Sequence, residues 1–437
     1  MWSPNDSVFP VLSALRSSSA LTRAELAQRT GLTRKVVVQR VDELIACGLV
    51  EAGELVRSTG GRAPREVRFR SRGGAVLVAE VAATSVTAGL ADLGGTVLRE
   101  ISAPLDPTAG PELTLERVEA LFDDLVSTGQ HDDPPVRGIG IGVPGPVATD
   151  TARPIGALFG PGWPDYPVRE RLARRYDVPT WVDNEVNTMA LGEVRAGRGQ
   201  GLDDVLFIKI GTGIGGAVIS SGSLVRGSRG FAGELGHVIV SDDDTARYCW
   251  CGQAGCLTQI AGARAIARRA EQAAEAGRSP ILAAILAEVG SISPRKVFAA
   301  AEAGDSTSIE LLTIAGESLG QVASTLVCAL NPAAILIGGG VVGESDPLMT
   351  AFAATVRRRS LPGAVAELDI REAALGNSAG LIGAAHLVVD ELLSPRRLAL
   401  WSDRGTTVGL ADVIHRGIEL GGETTPVPQV RVLSQSG

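Results

Sequence analysis

Two stretches of the chain follow the same order of strands and turns, and this internal repeat limits the fold more than any other feature. Residues 76–98 (VLVAEVAATSVTAGLADLGGTVL) and 205–225 (VLFIKIGTGIGGAVISSGSLV) each indicate a strand, a turn of small residues, a second strand, a glycine-containing hairpin and a third strand. From residue 75 onward, strand and helix patterns alternate. A duplicated α/β unit predicts two lobes of similar build with a cleft between them.

The length and the N-terminal composition favour a soluble protein of several domains. The chain has 437 residues, enough for two or three domains that each bury a core without a disulfide framework. The N-terminus has no basic flank leading into an apolar stretch, and no uncharged run resembles a membrane span. We therefore expect a cytoplasmic protein with no membrane partner.

Charge is distributed unevenly along the chain. The whole sequence has a net charge of −8, but residues 1–72 contain 12 lysines and arginines against 7 acidic residues. That segment is therefore at +5, and the rest of the chain is at −13. A basic module on an acidic body predicts that only the module meets a polyanion.

Residues 1–72 predict three helices followed by a hairpin. The first helix has four apolar residues at helical spacing, namely Val8, Val11, Leu12 and Leu15. Thr22 and Glu25 form a capping box for the second helix, and Thr33 caps a third that runs to Gly48. The short link 31–33 between the second and third helices is typical of a helix-turn-helix.

The hairpin that follows has the composition of a DNA-binding wing. Residues 49–51 and 67–70 are its predicted strands, and residues 58–65 form a polar tip. Gly60 and Gly61 allow close approach of the backbone, while Arg62 extends as narrow minor grooves favour.

The third helix is the predicted recognition helix. Its core-facing residues follow helical periodicity: Val37, Val41, Leu44 and Ile45. The opposite face, near the helix N-terminus, is left for the major groove and comprises Arg34, Lys35, Val36, Val38 and Gln39. Gln39 suits adenine and Lys35 suits guanine, whereas Arg34 and Arg40 suit phosphates. The alternative is a helical protein-interaction module whose arginines are merely solvated.

Three of the five cysteines cluster within eight residues, downstream of a histidine. The four predicted ligands are His237, Cys249, Cys251 and Cys256. Three thiolates and an imidazole complete a tetrahedral shell for a structural Zn²⁺, and Gly252 and Gly255 permit the tight turn between the ligands. The alternative is three reduced thiols on a loop.

Glycine-rich turns end several apolar strands, where α/β proteins bind ligands. In one such turn the backbone N–H groups are able to cradle an anion, and its candidate residues are Gly211, Thr212, Gly213 and Gly215. The same glycines also suit a tight hairpin. Another strand ends at Asp183-Asn184-Glu185, whose amide and carboxylates suit a sugar's hydroxyls. The competing interpretation is a strand-to-helix turn with Asn184 or Asn187 as a helix cap.

Together these segments resemble the ROK family (repressors, open reading frames, kinases), and in particular its regulators with an N-terminal winged helix. The resemblance covers about residues 7–392. It is carried by nine motifs: TRAELAQRTGLTR, STGGRAPR, GIGIGVPGPV, VDNEVNTMALGE, IGTGIGGAVI, GFAGELGHV, CWCGQAGCL, LNPAAILIGGGVV and ALGNSAGLIGAA. The cysteine loop that follows GELGH is the most specific of them.

The resemblance implies a fold and a set of site residues. The implied fold is α/β, an N-terminal winged helix-turn-helix followed by a two-lobed actin-like (ribonuclease H-like) ATPase fold. It implies that His237 and the three clustered cysteines bind zinc, and that Asn184, Glu234 and His237 contact sugar in the cleft. In kinase members the acidic residue after Asn184, here Glu185, takes a proton from the sugar, and two glycine-rich loops hold ATP.

The chain departs from the kinase pattern at three positions. The first phosphate loop, usually Asp-x-Gly-Gly/Ala-Thr, is Glu80-Val81-Ala82-Ala83-Thr84, so that a methyl group stands where backbone approaches phosphate. The usual catalytic Asp is Glu185, one methylene longer. The Glu that normally follows Gly-Cys-Leu is Thr258, which removes a sugar acceptor. These departures argue against phosphoryl transfer.

The sequence therefore predicts a regulator, most simply a repressor, of four segments. These are a winged helix at 1–72, a first lobe at 73–190 completed by a helix near 377–393, a second lobe at 191–376, and a tail at 394–437 of unknown structure. Expected partners are a double-stranded operator with an inverted repeat, a sugar or sugar-derived effector, and further copies of the chain in a homodimer or homotetramer. Two other interpretations are an ATP-dependent sugar kinase with a regulatory head and a constitutive DNA-bound structural protein.

Overall fold

A computed structural model describes residues 7–55, 64–106, 108–129, 133–156, 162–241, 249–340 and 347–416. These residues divide into two units. The first unit draws on Met1–Arg70, Ala173–Pro179 and Glu391–Gly437, and the second on Ser71–Leu172 and Thr180–Asp390.

The first unit contains the predicted winged helix. Its elements are α1 (Val8–Arg16), β1 (Leu21–Thr22), α2 (Arg23–Thr30), α3 (Arg34–Ala46), β2 (Val50–Leu55) and β3 (Arg65–Phe69). Strand β3 pairs antiparallel with both β1 and β2. The capping box is confirmed, since Glu25 N donates to Thr22 Oγ1 at 3.2 Å and Thr22 N donates to Glu25 Oε2 at 2.7 Å. Thr33 caps α3 by accepting from Val36 N at 3.4 Å.

Two details of α3 differ from the prediction. Val37, Val41 and Leu44 are fully buried as expected, but Ile45 is 38% exposed, so its assignment to the core is wrong. Eight residues after Val37 an ideal helix has turned about 80° past it, which leaves Ile45 at the edge of the apolar stripe. The helix also ends at Ala46, two residues before Gly48, which has a φ of +78°.

The first lobe of the second unit is built on a five-stranded sheet. Its elements are β4 (Ala75–Val81), β5 (Ser85–Asp92), β6 (Val97–Pro104), α4 (Pro111–Ser127), β7 (Val136–Val143), α5 (Val168–Tyr176), β8 (Thr180–Asn184) and α6 (Glu185–Ala196). The strand order is β6-β5-β4-β7-β8. The first three strands form an antiparallel meander, and β7 and β8 continue the sheet in parallel.

The second lobe repeats that sheet. Its elements are β9 (Val205–Ile210), β10 (Ile214–Ser220), β11 (Ser223–Val225), α7 (Thr258–Ala261), α8 (Ala263–Glu275), α9 (Pro280–Val289), α10 (Pro294–Glu302), α11 (Ser306–Leu330), β12 (Ala334–Gly338), α12 (Pro347–Arg359), α13 (Pro362–Val365) and β13 (Asp369–Glu372). The strand order β11-β10-β9-β12-β13 matches the first lobe strand for strand. The duplication predicted from the sequence is therefore confirmed.

Helix α6 contacts the sheets of both lobes. Val186, Met189 and Ala190 on α6 pack in one cluster with Phe207 of β9. Towards the first lobe, a Cβ on Gly142 of β7 would come within 2.7 Å of Thr188 Oγ1. The residues at the start of α6 therefore lie where the two lobes meet.

A further helix, α14 (Ala379–Leu392), packs closely against α6, and glycines on both helices allow the close approach. A Cβ on Gly192 of α6 would lie 2.1 Å from the backbone oxygen of Ala379. A Cβ on Gly383 of α14 would lie 1.6 Å from the backbone oxygen of Thr188. Side chains at these positions would separate the two helices.

The long apolar helix α11 is a core helix of the second lobe. Among the described residues it is the one helix whose length and composition would suit a membrane crossing. Twelve of its residues are buried, including Leu312, Leu319 and Val327, and they join the core that also contains Phe352 of α12. Such packing is typical of a buried helix in a globular lobe.

The segment after residue 394, for which the sequence predicts no structure, contains two helices. They are α15 (Pro395–Trp401) and α16 (Ala411–Arg416). Trp401 is 1% exposed and donates its indole N–H to the backbone oxygen of Leu392 at 3.0 Å. The buried Trp401 side chain therefore holds this segment in place, although the hydrophobic periodicity of the sequence is weak there.

Candidate functional site

The two glycine- and alanine-rich turns are hairpin turns at equivalent places in the two lobes. Gly211, Thr212 and Gly213 connect β9 to β10, and Thr212 and Gly213 are exposed. Gly215, predicted to belong to the same anion cradle, lies in β10, where a Cβ would come within 2.7 Å of Val186 Cγ2. Its lack of a side chain is explained by packing against α6.

The turn between β4 and β5 is closed by a hydrogen bond from Ala82 N to the backbone oxygen of Ser85 at 2.9 Å. Ala82 and Ala83 are half-buried there. In a nucleotide-binding loop, the backbone of this turn would lie close to a phosphate. The methyl groups of Ala82 and Ala83 stand in the way of that close approach.

Asn184 is the N-cap of α6. Its side-chain oxygen accepts from Val186 N at 2.6 Å, and its amide donates to the backbone oxygen of Gly145 at 2.8 Å. The capping interpretation is thus confirmed for Asn184. An amide has two N–H donors, so one of them is left for a ligand.

Asp183 is buried and ties the end of β8 to the second lobe. Its Oδ2 accepts from Arg226 Nη2 at 2.7 Å and from Arg226 Nε at 2.8 Å. Its Oδ1 accepts from Asn187 at 2.7 Å. This paired carboxylate positions the junction between β8 and α6, where Asn184 lies.

Glu185 forms an ion pair with Lys209 of β9. Lys209 Nζ lies 3.0 Å from Glu185 Oε1, and both side chains are mostly buried, with 19% and 13% of their areas exposed. The other oxygen, Glu185 Oε2, is buried and has no hydrogen-bond partner among the described residues. A buried acceptor without a partner costs free energy, which a donor on a ligand can recover.

The carboxyl groups of Glu80 and Glu234 interact electrostatically with the Glu185–Lys209 ion pair. Burial raises the pKa of Glu80, in β4, to about 7, although the charge of Lys209 acts in the opposite direction. Burial, with the charge of Glu185, also raises the pKa of Glu234 to about 7. Carboxyl groups of this kind exchange protons near neutral pH, as in many ligand sites.

His237 lies between the Glu234 carboxyl group and the cysteine cluster. Its Nε2 lies 3.9 Å from Glu234 Oε2, and its Nδ1 lies 3.5 Å from Cys249 Sγ. Burial lowers the pKa of this imidazole, which favours the neutral form that ligates metals.

The four predicted metal ligands come together as a cluster able to hold a metal ion. The ligand atoms of His237, Cys249, Cys251 and Cys256 all lie within 4.8 Å of one another. The sulfur atoms of Cys251 and Cys256 are 3.5 Å apart. Sulfur atoms on tetrahedral Zn²⁺, each about 2.3 Å from the ion, would be about 3.8 Å apart, so the spacing fits.

The chemistry of the donor set supports the same fit. Burial and the neighbouring thiols raise the pKa of Cys256 to about 12, because thiolates crowded together without a cation repel. A divalent cation reverses this balance and deprotonates coordinating thiols. The turn has the expected glycines, with φ of +87° at Gly252 and +74° at Gly255.

The N-terminal face of α3 is exposed to solvent, and the Gln39 amide on it donates to Glu43 Oε1 at 3.1 Å. Arg34, Lys35, Val38 and Gln39 are exposed, and Val36 is half-buried. Arg34 and Lys35 form no ion pair with any described residue. Arg40 differs, since its guanidinium donates to Ser7 Oγ and to Glu43, each at 2.8 Å, and would have to leave these partners to reach a phosphate. The predicted wing contacts Gly60, Gly61 and Arg62 lie outside the described residues.

The sequence does not predict three residues around the start of α6 as site residues. Lys209 lies in an otherwise apolar strand, Arg226 follows β11 in a loop, and Glu80 belongs to the motif of the first phosphate loop. Their partners are 24, 43 and more than 100 positions away along the chain. A single charged residue in a strand pattern carries no signal for such pairing.

Comparison with known proteins gives two family matches. The model of the ROK family matches residues 77–391, and that of the MarR family matches residues 3–60. A glucokinase of Halalkalibacterium halodurans is 32% identical over 309 residues, which cover 71% of this chain and 93% of that one. A xylose repressor of Caldicellulosiruptor bescii is 26% identical over 386 residues, or 88% of this chain and 95% of that one.

Among solved structures, the crystal structure of a ROK family transcriptional regulator, a homolog of the Escherichia coli MLC protein, has a similar fold. Its TM-score is 0.78 at 24% identity, and the match covers 92% of this chain and 99% of that chain. The likeness spans both the winged helix and the two lobes.

Proposed function

The chain belongs to the ROK family, and because a MarR-type winged helix precedes its ROK domain, we propose that it is a DNA-binding transcriptional repressor controlled by a sugar or sugar-derived effector. The observation that carries this proposal is the capped helix α3, whose N-terminal half exposes Arg34, Lys35 and Gln39. A recognition helix reads the major groove with residues near its N-terminus. The similarity to a xylose repressor over 88% of the chain supports the same function.

The DNA-binding part of the proposal is tested with Lys35→Ala. Binding is measured by fluorescence anisotropy on a duplex from the promoter of the chain's own gene and on an unrelated duplex of equal length. Loss of a base contact is expected to lower the preference for the promoter duplex by about fivefold to a hundredfold.

The matched control is Arg29→Ala, which removes one positive charge from the exposed end of α2. Any effect of this variant should be the same on both duplexes, since the loss of a positive charge weakens attraction to phosphates whatever the sequence. Equal behaviour of the two variants on both duplexes would contradict a recognition role for α3.

The effector would bind in the cleft at the start of α6. Glu185 Oε2 needs a hydrogen-bond donor, Glu234 is 23% exposed beside it, and Asn184 has one amide hydrogen to donate. A polyhydroxylated ligand supplies both donors and acceptors in one rigid ring. His237 would complete the contact set with Nε2, the ring nitrogen nearer to Glu234.

The cysteine cluster would hold a structural Zn²⁺. Three thiolates and Nδ1 of His237 leave no open coordination position, so the ion would supply a rigid cross-link rather than catalysis. Coordination through Nδ1 would fix the imidazole ring and aim Nε2 at the ligand cleft. His237 would therefore belong both to the zinc site and to the effector site.

The regulator would act in the cytoplasm as a homodimer or homotetramer. Two recognition helices related by a twofold axis read the two halves of an inverted repeat, so such an operator is expected. The basic net charge of residues 1–72 on an acidic chain supports this division of roles.

A sugar kinase is the second candidate, and 32% identity to a glucokinase over the ROK domain favours it. Against it stand the alanines of the β4–β5 turn and the ion pair that occupies Glu185. Incubation with Mg-ATP and a panel of sugars separates the two. Turnover that Glu185→Gln abolishes would establish the kinase, and we expect none.

A further inference from the structure

Lys209 is the one charged residue in an otherwise buried strand. In β9 the residues before it, Val205 to Ile208, are fully buried, and strand alternation puts Lys209 on the same face as Phe207. That face packs against α6, whose first residue is Glu185. The cross-strand partners of Lys209 are both glycines, Gly215 and Gly338, so no side chain on either neighbouring strand crowds it.

The ammonium of Lys209 interacts with carboxyl groups from two different elements, α6 and β4. It lies 3.0 Å from Glu185 Oε1 at the start of α6 and interacts electrostatically with Glu80 of β4. Burial alone would lower the pKa of Lys209, but the charges of Glu185 and Glu80 raise it above its ordinary value. Lys209 is therefore charged at every physiological pH, and the group of three residues holds one positive and up to two negative charges.

Glu80 is in register with Gly142 of β7, and a Cβ on Gly142 would come within 3.2 Å of Glu185 Cα, so the two carboxyl groups start from neighbouring backbone positions. Carboxylates placed together beside a turn that binds nucleotide are a common protein contribution to a magnesium–nucleotide site. Mg²⁺ is held by one or two carboxylates together with the phosphates of the nucleotide. An ion bound by Glu185 would lie beside the Lys209 ammonium, which is 3.0 Å from Glu185 Oε1, and cations repel strongly where solvent screening is weak. The residues present thus do not fit a metal-bound nucleotide.

We propose that Lys209 is a built-in counter-ion that takes the place of a divalent cation between Glu80 and Glu185, so that the cleft excludes metal-bound nucleotide and responds to an uncharged polyhydroxylated ligand alone. This inference rests on the proposed function. It adds that Lys209 is the residue that keeps metal-bound nucleotide out of the effector site. It also makes Glu185 an ion-pair partner whose second oxygen is left for the ligand.

The test is a gain of cation binding in Lys209→Met, which keeps the unbranched side chain up to its last atom and removes its charge. Mn²⁺ alone is titrated into zinc-loaded protein, and the free ion is followed by electron paramagnetic resonance. We expect Lys209→Met to bind one Mn²⁺ per chain with a Kd lower than that of the natural chain by about tenfold or more. Lys209→Arg, which keeps the charge, should bind no better than the natural chain.

Adding Glu80→Gln to Lys209→Met should abolish the gain, because one of the two carboxylates is then lost. A natural chain that binds Mn²⁺ as tightly as Lys209→Met would overturn the proposal. A folded Lys209→Met, shown by an unchanged circular dichroism spectrum, that acquires no Mn²⁺ site would overturn it as well.

Should Lys209→Met fail to fold, the natural chain still provides a test by calorimetry with Mg²⁺ and a non-hydrolysable ATP analogue. Absence of binding supports the proposal, and magnesium-dependent binding overturns it. Promoter binding and its response to sugars are measured on the same preparation. If that response fails while Mn²⁺ and nucleotide are still excluded, the proposed function is wrong and the role of Lys209 stands.

Discussion

Glu80 is a carboxyl group whose burial makes the stability of the protein depend on pH. The ordinary pKa of 4.5 is raised to about 7 in the fold. Between these values the folded chain holds a proton that the unfolded chain does not, so stability is greatest below about pH 4.5 and falls as pH rises through 7. A shift of this size corresponds to about 3 kcal/mol at most, because each pKa unit corresponds to about 1.4 kcal/mol.

Glu80→Gln should therefore flatten the dependence of the free energy of unfolding on pH. Between pH 5 and pH 7.5 we expect the natural chain to lose about 1–3 kcal/mol more than the variant, measured by urea titration. A smaller decline should persist in the variant because the pKa of Glu234 is also raised to about 7. Identical slopes in the two proteins would show that Glu80 does not bind a proton in this range.

Individual residues differ in how far the sequence revealed their roles. The four metal ligands were predictable because three cysteines close together in sequence, with glycines between them, must also be close in space. Asn184 was predictable as a cap because capping acts within three residues. The role of Lys209 was not, since its partners come from α6 and β4 and only the folded chain brings them together.

The proposed zinc site, formed by His237, Cys249, Cys251 and Cys256, is the element whose loss should separate ligand response from DNA binding. Cys251→Ser removes one of four ligands, so bound zinc, measured by mass spectrometry of the purified chain, should fall well below one per chain. The response of promoter binding to sugars should weaken because His237 is no longer fixed. Promoter binding without sugar should be retained, since the winged helix belongs to the other structural unit.

Cys328→Ser is the matched control, because Cys328 is an exposed thiol outside the metal cluster. It should retain both the zinc and the response. If Cys251→Ser keeps a full complement of zinc, the assignment of the cluster as the zinc site is wrong.

Elements with strong local signals were predicted more closely than those that depend on tertiary contacts. The starts of α2 and α3 lie where Thr22 and Thr33 place them, because helix caps are local. Towards the tip, β2 runs on to Leu55 and β3 begins at Arg65, both beyond the predicted 49–51 and 67–70, since the pairing of the two strands, and not composition, sets their length. The helices after residue 394 were missed because their anchor, Trp401, is isolated in the pattern.

At the scale of the whole molecule, the repeat of 76–98 and 205–225 was enough to predict two lobes of similar build, and the structure adds that their sheets share one strand order. The winged helix was predictable from its caps and its charge. Effector binding can change the affinity of the winged helix for DNA only if the protein has two states that bind the effector with different affinity. The effector can shift operator affinity only by the ratio of its affinities for those states, typically about fivefold to 150-fold.

The most direct test of this account is the Kd of the full chain for a duplex from its own promoter, measured with and without a saturating sugar and in the absence of nucleotide. The sugar is chosen from a panel by its effect on Tm. We expect the Kd to rise by about fivefold or more, with no ATP required. A Kd that is unchanged by every stabilising sugar, or that changes only while ATP is consumed, would contradict control of DNA binding by occupancy of the cleft.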